Sequence, residues 1–519
     1  MTMLMQISMP TSIHAQPQAQ PRLWLALQMP LISIEAFRPN WLVDSGVVIM
    51  ERDRVIAISA FAQAAGVQLG MRRSSVHMLL PDALFKQREI DQENAVLQTV
   101  SIALLQYSPQ VAKAEQASIL INIGASLSLF GGVRKLCRLV MQTMATLGIT
   151  ATLGCAATAR GAWLLAHTAT TRRGRYCLSL HKLTRHLDVL PVVLLPSAQP
   201  WLEWLQGIGC QHLGALRQLP RAGLQRRCGK ALLDTLDCAY GEASELHQWL
   251  EVPPQFTART ELPDRIEHVE AILNFARSLL VQLNGWLSSK RLATAKIHLC
   301  LEHERGRLAI RPTQLDIALA EATWREEHLS RLLKEHLARL KLDAPVIAIS
   351  LHATQLETMQ TPTASLFPEP GGTQEEHHRL LELLVARLGA ENVLQAAPQA
   401  DYRPEVANCW ISVMQVRKPL RLTTQASNMM NRPTWLLPQA LALPMRQHRP
   451  CYGSPLKILS PAERIEAGWW NGQLVARDYF IAENAEYLRC WIYRERISPS
   501  QSQTDTDSDP VWYLHGLFG

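Results

Sequence analysis

Ser118-Ile119-Leu120-Ile121-Asn122-Ile123 is an apolar run with the length and composition of a buried β-strand. It continues into Gly124-Ala125-Ser126-Leu127-Ser128-Leu129-Phe130-Gly131-Gly132, small and apolar residues that end on a glycine pair. Both runs belong to a longer stretch, from Ala117 to Leu187, that contains no Asp or Glu. Its cationic side chains are Arg134, Lys135, Arg138, Arg160, Arg172, Arg173, Arg175, Lys182 and Arg185. Such a stretch is typical of a solvated basic face or of a surface that meets a polyanion, and both interpretations stay open.

The composition of the whole chain predicts a multidomain globular protein. Its 519 residues are enough for about three or four domains, 47% of them are hydrophobic, and the formal charge is +7. No apolar run reaches the roughly 18 residues of a membrane span, and residues 1–20 lack the basic start of a signal peptide. The ten cysteines form no C-x-x-C pair, which predicts reduced, mostly buried thiols rather than a zinc site or a disulfide framework.

The order of strand, small residues and Leu-Phe-Gly resembles the second palm motif of Y-family DNA polymerases, S-I-D-E-A-F-L-D-V-T-G. In that family the adjacent Asp and Glu hold catalytic metal at a strand end. Matched residue by residue, those two positions fall on Gly124 and Ala125. The resemblance implies a palm fold in which this part of the metal site is missing.

A motif near the N-terminus leads to the same expectation. Residues 23–35 resemble the first palm motif, I-H-V-D-M-D-C-F-F-A-A-V-E, whose two metal-holding Asp positions fall on Ala26 and Gln28. The aromatic steric gate of the family falls on Leu31. Mg²⁺ takes oxygen ligands, and two-metal phosphoryl transfer relies on carboxylates to hold the ion pair. We therefore expect no catalytic residue, no metal and no cofactor; an active translesion polymerase with relocated carboxylates is the alternative.

The nucleotide contacts of the family are also eroded. Residues 59–71 resemble the fingers segment S-Y-E-A-R-x-x-G-V-x-x-G-M and retain its glycines. The Tyr and Arg that contact the triphosphate fall on Ala60 and Gln63, and a third contact, a Lys in the family, falls near Ala159. The adjacent Arg160 could compensate for that Lys.

Gly207-Ile208-Gly209 lies between two short segments with helical apolar periodicity, as in a helix-hairpin-helix motif. Its glycines permit a tight turn whose backbone N–H groups face a phosphate; a plain αα-turn is the alternative. Basic residues follow the turn, and with a palm upstream they favour contact with the DNA backbone, as in the Y-family thumb. The predicted DNA-binding residues are Gly207, Ile208, Gly209, Arg221, Arg226, Arg227 and Lys230.

Residues 264–287 and 326–340 have the spacing of amphipathic helices, and 295–302 and 346–351 that of strands. This order resembles the little finger of the family, a small α+β module that lies along DNA.

A Pro- and Gly-rich linker follows. Thr363-Ala364-Ser365-Leu366-Phe367 resembles the bacterial sliding-clamp peptide Q-x-S/D-L-F, which docks its Leu-Phe pair in an apolar pocket. A rival Leu-Phe pair, Leu517-Phe518, lies near the C-terminus. We prefer the linker because Ser365 matches the motif, and because Trp512-Tyr513-Leu514 indicates that the terminus packs onto its own domain.

The C-terminal region holds six of the fourteen Trp residues, some in motifs such as Arg464-Ile465-Glu466-Ala467-Gly468-Trp469-Trp470 that active Y-family enzymes lack. With the emptied palm, these motifs resemble an inactive, UmuC/DinB-like branch of the family that acts as an adaptor in bacterial damage-induced mutagenesis. The resemblance implies a scaffold that binds DNA and the β sliding clamp. It also implies a RecA-like accessory protein and an error-prone C-family DNA polymerase as partners. A general DNA-binding protein without clamp contact, and a small β-rich domain with a Trp core, are the plainer interpretations.

The predicted fold class is α+β: a Y-family-like palm and fingers, a helix-hairpin-helix thumb, an α+β little finger and a Trp-rich C-terminal region. The predicted parts are a flexible tail at 1–20, palm and fingers at 21–195, thumb at 196–250, little finger at 251–355, clamp-binding linker at 356–374 and partner-binding region at 375–519. The expected location is the bacterial cytoplasm, at the nucleoid.

Overall fold

The computed structural model describes residues 23–168, 175–304, 311–359, 374–415, 432–496 and 511–519. The chain divides into two compact units, one that ends at Arg379 and one that spans Leu380–Gly519. In chain order the first elements are β1 (Trp24–Gln28), α1 (Ile32–Glu35), β2 (Val47–Glu51), β3 (Arg54–Ile58), α2 (Ala60–Ala64), α3 (Arg73–Leu79), β4 (Leu84–Gln87), α4 (Ile90–Leu104), β5 (Val111–Ala114), β6 (Ser118–Asn122), α5 (Val133–Leu147), β7 (Thr152–Ala156), α6 (Ala159–Ala166), β8 (Tyr176–Cys177) and α7 (Leu180–Asp188).

The chain continues with α8 (Leu202–Gly207), α9 (Leu213–Gln218), α10 (Arg221–Cys228), α11 (Lys230–Tyr240), β9 (Thr257–Ile266), α12 (Val269–Lys290), β10 (Leu292–His303), β11 (Thr313–Thr323), α13 (Glu326–Ala338), β12 (Val346–Thr358) and α14 (Gln374–Leu388). The last elements are β13 (Leu394–Pro398), α15 (Pro404–Ala407), β14 (Asn408–Ser412), β15 (Trp435–Leu443), β16 (Met445–Arg446), β17 (Arg449–Tyr452), β18 (Ser454–Pro455), β19 (Lys457–Ile458), β20 (Glu463–Ala467), β21 (Val475–Glu483), β22 (Arg489–Glu495) and β23 (Trp512–Leu517).

A five-stranded sheet with the order β5-β6-β1-β7-β8 forms the centre of the first unit. The predicted apolar strand is β6, and its antiparallel partner β1 lies in the middle of the sheet. Side chains alternate between the two faces of a strand. On β1, Leu25 and Leu27 therefore pack in one core with residues of α4 and α5, whereas Trp24 and Ala26 pack in another core with α6.

A smaller sheet, β3-β2-β4, follows β1 in the chain. Its β2–β3 hairpin turns at Arg52 and Asp53, which adopt left-handed φ angles of 49° and 61°. Downstream, Gly66 and Gly70 have φ angles of 91° and 83°. Only glycine adopts such angles without strain, which accounts for these two residues of the fingers motif.

The four helices α8–α11 pack onto the same core as α6. Leu205, Leu213, Leu224 and Leu236 contribute one buried side chain from each of these helices, next to the buried Trp163 of α6. The helical segments on either side of Gly207-Ile208-Gly209 therefore form as predicted.

A second sheet, with the antiparallel order β11-β10-β12-β9, carries α12 and α13. The predicted helices correspond to α12 and α13, and the predicted strands to β10 and β12. Strands β9 and β11 were not predicted, and residues 264–266, predicted as the start of a helix, form the end of β9 instead. Most β9 side chains are exposed and polar, so no apolar pattern marks the strand; its pairing with β12 forms it instead.

The second unit is built on a sheet with the order β15-β23-β22-β21-β19, to which β20 adds by pairing with β21. Trp491 and Trp512 are buried in its cores. Trp410, Trp435, Trp469 and Trp470 are exposed. A Trp core thus accounts for two of the six C-terminal Trp residues and leaves four at the surface.

All ten cysteines are free thiols, and seven of them are buried. Among the helices of the described ranges, none is long and apolar enough to cross a membrane.

Degenerate palm and candidate nucleic-acid interface

Ala26 lies in the middle of β1, between Leu120 of β6 and Gly154 of β7. Its side chain is fully buried. Helix α6 covers this face so closely that a Cβ added to Gly154 would overlap the carbonyl oxygen of Ala162. Ala26 lies in the same packed core as Ala162 and Trp163 of α6, so a longer side chain there would have to displace its neighbours.

Gln28 ends β1 on the same face and meets only neutral groups from its paired strands. It is paired with Ser118 of β6 and Thr152 of β7. The hydroxyl of Thr152 lies 3.0 Å from Gln28 Oε1 and 2.7 Å from the carbonyl oxygen of Ala166. Ser118 donates to the carbonyl oxygen of Gln116 at 3.2 Å. The polar groups at this end of the sheet are therefore joined by neutral hydrogen bonds, and the residues paired with Gln28 carry no carboxylate.

The register of β1 and β6 contradicts the placement of Gly124 and Ala125 at a metal site shared with Ala26 and Gln28. Gln28 pairs with Ser118 and Trp24 pairs with Asn122, so Gly124 and Ala125 lie in a 3₁₀ turn beyond the opposite end of β6. Gly124 lies four residues after Leu120, the partner of Ala26, and four residues of extended chain span about 13 Å. Two catalytic metals lie roughly 4 Å apart, so one site cannot span that separation.

The residues that do lie beside Gln28 are Ser118 and, just before it, Ala117, whose carbonyl accepts from Met29 N at 3.0 Å. With the Asp-Glu pair of the palm motif placed here, its A-F-L falls on Ile119-Leu120-Ile121 of β6. The corrected positions also lack a carboxylate. Across the described ranges, no group of three or more His, Cys, Asp or Glu side chains could hold a metal ion. The residues present do not fit the two-metal site that the polymerase fold implies.

The matched nucleotide contacts are not assembled into a site either. Ala60 and Gln63 lie exposed on α2. Ala159 is buried at the start of α6. The neighbouring Arg160 forms an ion pair with Glu115, and its guanidinium lies 5.2 Å from the ring of Trp163. Arg160 is therefore engaged within the fold.

Gly207-Ile208-Gly209 forms the turn between α8 and α9. Gly209 has a φ of 77°, and the N–H of Cys210 donates back to Leu205 O at 2.8 Å. The turn projects from the surface, because Ile208 is 47% exposed and a Cβ added to Gly207 or Gly209 would meet no atom within 4 Å. Its backbone is accessible to a large ligand such as DNA.

The structure separates the predicted DNA-binding cations into two kinds. Arg221 pairs with Asp237, and Lys230 lies 4.0 Å from Asp234. Arg226 and Arg227 have no carboxylate within 4 Å among the described residues, and the Arg227 guanidinium lies 5.1 Å from the ring of Trp204 on α8. That contact brings the end of α10, which carries these two cations, next to α8, the helix that leads into the glycine turn.

Trp204 was not among the predicted DNA-binding residues. The sequence signal for its contact with Arg227 is weak: an aromatic residue three positions before the glycine turn, and a cation on the helix that packs against it.

The clamp-like residues Thr363, Ala364, Ser365, Leu366 and Phe367 lie outside the described residues. The rival pair is part of a folded sheet. Leu517 pairs with Trp435 and Cys490, and Phe518 packs on the core that contains Trp491. The N–H of Phe518 also donates to the carbonyl oxygen of Arg489 at 3.1 Å. Docking this pair elsewhere would require it to leave the sheet.

Residues 28–167, which include most of the palm and the fingers, match the impB/mucB/samB family. The match confirms the α+β, Y-family polymerase-like class that the two palm motifs predict. Over 480 residues, the chain is 24% identical to Protein ImuB of two Caulobacter vibrioides strains, NA1000 / CB15N and ATCC 19089 / CIP 103742 / CB 15; the alignment covers 88% of this chain and 100% of each relative.

Among the solved structures that are similar to this chain, one is a ternary complex of Dbh, and another is DinB from Sulfolobus solfataricus. The Dbh complex has a TM-score of 0.37 at 16% identity, covering 64% of this chain and 98% of that one. The DinB structure has a TM-score of 0.36 at 16% identity, covering 65% of this chain and 100% of that one.

Proposed function

We propose that this chain is a non-catalytic scaffold of damage-induced mutagenesis, with a body derived from a translesion polymerase. It binds DNA and the bacterial sliding clamp and recruits an error-prone polymerase. The observation that carries the proposal is the packing and hydrogen bonding around Ala26 and Gln28 in the palm sheet. Where the metal-bound carboxylates of a polymerase would lie, the chain has the buried Ala26 under α6 and the neutral Gln28–Thr152 hydrogen bond.

DNA binding is assigned to the turn Gly207-Ile208-Gly209 together with Arg226 and Arg227. These groups are exposed, and the two guanidinium groups have no carboxylate beside them in the described part of the chain. They can neutralise phosphates, a contact that positions a protein on DNA without reading its sequence. Arg221 and Lys230 support the surface through their pairs with Asp237 and Asp234.

Clamp binding is assigned to residues 363–367. A short extended peptide buries little surface and binds at about micromolar strength. Simultaneous contact with DNA would then raise its occupancy by effective concentration.

The assignment of partners rests on similarity to Protein ImuB along most of the chain. By that similarity the C-terminal region recruits a RecA-like accessory protein of the ImuA type and an error-prone C-family DNA polymerase, in the cytoplasm at the nucleoid. The four exposed C-terminal Trp residues supply apolar surface for such contacts.

Primer extension by the purified chain tests the proposal. With a primed template, all four deoxynucleotides and Mg²⁺ or Mn²⁺, we expect binding of the template without extension. A known Y-family polymerase serves as the positive control. Template-directed incorporation that follows this chain through purification would contradict the proposal and favour the active polymerase with relocated carboxylates.

A further inference from the structure

A cavity of about 950 Å³ lies between α5 and the segment that forms β8 and the start of α7. Among the described residues, four cationic side chains line it: Arg134 and Arg138 from α5, Arg175 from beside β8, and Lys182 from α7. We call it the basic groove. Its volume lies near the upper end of the roughly 300–1,000 Å³ typical of ligand pockets.

The cations of the basic groove are not neutralised by the fold. In the described part of the chain, none of the four has a carboxylate within 4 Å, and the sequence from Ala117 to Leu187 contains no acid at all. The Nε of Arg175 is buried without a hydrogen-bond partner among the described residues. Arg134, Arg138 and Lys182 are exposed, so the cost of a buried donor without a partner applies to Arg175 alone. The three exposed cations add positive potential around it, and together the four groups indicate an anionic ligand.

The floor of the basic groove is apolar. Val133, Cys137 and Met141 follow one another at four-residue spacing on one face of α5, and Leu153 of β7 and Leu178 complete the floor. The α5 positions alone extend for about 12 Å along the helix axis. The groove therefore offers an elongated apolar strip flanked by positive charge.

The start of α5 adds to this positive potential. No side chain caps the helix at Gly132, and its first turn contains no acid but does contain Arg134. The N-terminus of a helix carries partial positive charge, so cations there are unfavourable unless an anion compensates them.

We propose that the basic groove binds an acidic peptide segment of a partner protein, with aliphatic side chains on the floor and carboxylates against the four cations. Nucleic acid fits the groove less well. Single strands bind by stacking bases on aromatic rings, and Tyr176 is the only aromatic residue among the described residues of this lining. The apolar strip suits Leu or Ile side chains between acidic residues.

The groove is separate from the surfaces assigned above. Leu153 faces the α5 side of the sheet, in the same core as Leu25 and Leu27, whereas Ala26 faces α6 and the thumb helices. An occupant of the groove would lie on the opposite face of the sheet from Ala26. This inference does not depend on the proposed scaffold function.

A random dodecapeptide library displayed on phage tests the inference against the full-length chain. Selection is run in parallel against Arg134→Glu/Arg138→Glu and against a matched control, Lys135→Glu/Arg185→Glu. The control reverses two exposed cations, one of them next to Arg134 on α5, that do not line the groove. Far-ultraviolet circular dichroism and a melting curve verify that each variant is folded.

We expect enriched peptides that combine Asp or Glu with Leu, Ile or Met. Synthetic copies should bind the wild type and the control equally, and bind Arg134→Glu/Arg138→Glu about tenfold or more weakly, a loss of at least 1.4 kcal/mol. Replacing the Leu, Ile and Met residues of the peptide by Ser should weaken binding by a similar factor.

Three results would overturn the inference. The first is the absence of any enriched peptide that depends on Arg134 and Arg138. The second is equal binding of the Ser-substituted peptides, which would indicate a general cationic surface. The third is an oligo-dT strand that displaces the peptides and loses affinity only in Arg134→Glu/Arg138→Glu, which would assign the groove to nucleic acid.

Discussion

The surroundings of Ala26 do not suit a metal-binding Asp, the residue of the family motif at this position. Its face of β1 is packed against α6, in a core that includes Trp163 and Leu164. An unpaired carboxylate in such a core is strongly disfavoured relative to its hydrated state. Restoring the Asp of the family motif would therefore not restore a metal site.

This gives a prediction at the residue scale. We expect Ala26→Asp to lower the free energy of unfolding by about 3–5 kcal/mol and to give no primer extension. Ala60→Asp makes the same change at an exposed site and should stay within about 0.5 kcal/mol of the wild type. Urea unfolding measures both. A stable Ala26→Asp variant that extends primers would contradict this account of the palm.

Asp478 of β21 is a buried carboxyl held by three guanidinium groups. Burial raises its pKa, but the hydrogen bond from Arg464 at 3.0 Å and the charges of Arg496 and Arg494 outweigh that effect, so the pKa lies below its usual value. A carboxyl whose pKa is lowered by folding stabilises the fold above its unfolded pKa. That stabilisation is lost as the pH falls through the folded pKa.

Asp478→Asn should therefore lower the hydrogen-exchange protection of β21 and β22 at pH 7 roughly 10- to 150-fold, since a hydrogen bond to a charged group contributes about 1.5–3 kcal/mol. The difference between variant and wild type should shrink below about pH 4. Glu466→Gln, which removes an exposed carboxylate 3.9 Å from Arg464, is the control and should change little. A pH-independent difference would rule out the charge interaction as the cause.

At the scale of elements, α6 packs closely against β7 and covers the face of the sheet on which Ala26 lies. A Cβ at Gly154 would overlap backbone atoms of α6, whereas a Cβ at Gly207 of α8 would meet open space. We expect Gly154→Ala to cost about 1–3 kcal/mol of stability and Gly207→Ala to be neutral. Comparable denaturation midpoints for the two variants would show that α6 does not press on the sheet.

The thumb helices give a prediction about DNA. Removing both Arg226 and Arg227 by Ala substitution should weaken binding to primed DNA of any sequence. It should also lower the slope of log K against log salt by about 1.4–1.8, close to one counterion per lost phosphate contact. Arg221→Ala should change the slope less, because Arg221 is paired with Asp237. A loss confined to one sequence would contradict the assignment of backbone contact.

Elements with a strong local sequence pattern were predictable from the sequence. The register in which the strands pair was not predictable. The apolar run of β6 and the glycine turn after α8 carry local signals, so both were found. Which residue of β6 faces Gln28 depends on hydrogen bonds between distant strands, and no local pattern encodes it. The motif was therefore placed seven residues too late, on Gly124-Ala125 instead of Ala117-Ser118. The polar edge strand β9 was missed for the related reason that tertiary pairing forms it.

At the scale of the whole molecule, clamp contact and folding are expected to depend on different residues. Leu366→Ala/Phe367→Ala should abolish capture by the immobilised sliding clamp and leave the melting curve unchanged. Leu517→Ala/Phe518→Ala should lower stability by about 2–5 kcal/mol, because both side chains pack in the C-terminal sheet, while clamp binding by the folded fraction persists. Loss of clamp binding only in the terminal variant would show that the site is assigned to the wrong pair.

Damage-induced mutation frequency, in a bacterial strain that lacks its own copy of this gene, tests whether the chain acts as a non-catalytic scaffold. A scaffold needs its contacts with DNA and the clamp, but it does not need the polar side chain of Gln28 in the palm sheet. Gln28→Ala should therefore retain wild-type mutagenesis, and Arg226→Glu/Arg227→Glu combined with Leu366→Ala/Phe367→Ala should reduce it to the level of the empty strain, with equal protein amounts verified by immunoblot. The reverse pattern, loss with Gln28→Ala and retention without the contacts, would contradict a non-catalytic scaffold.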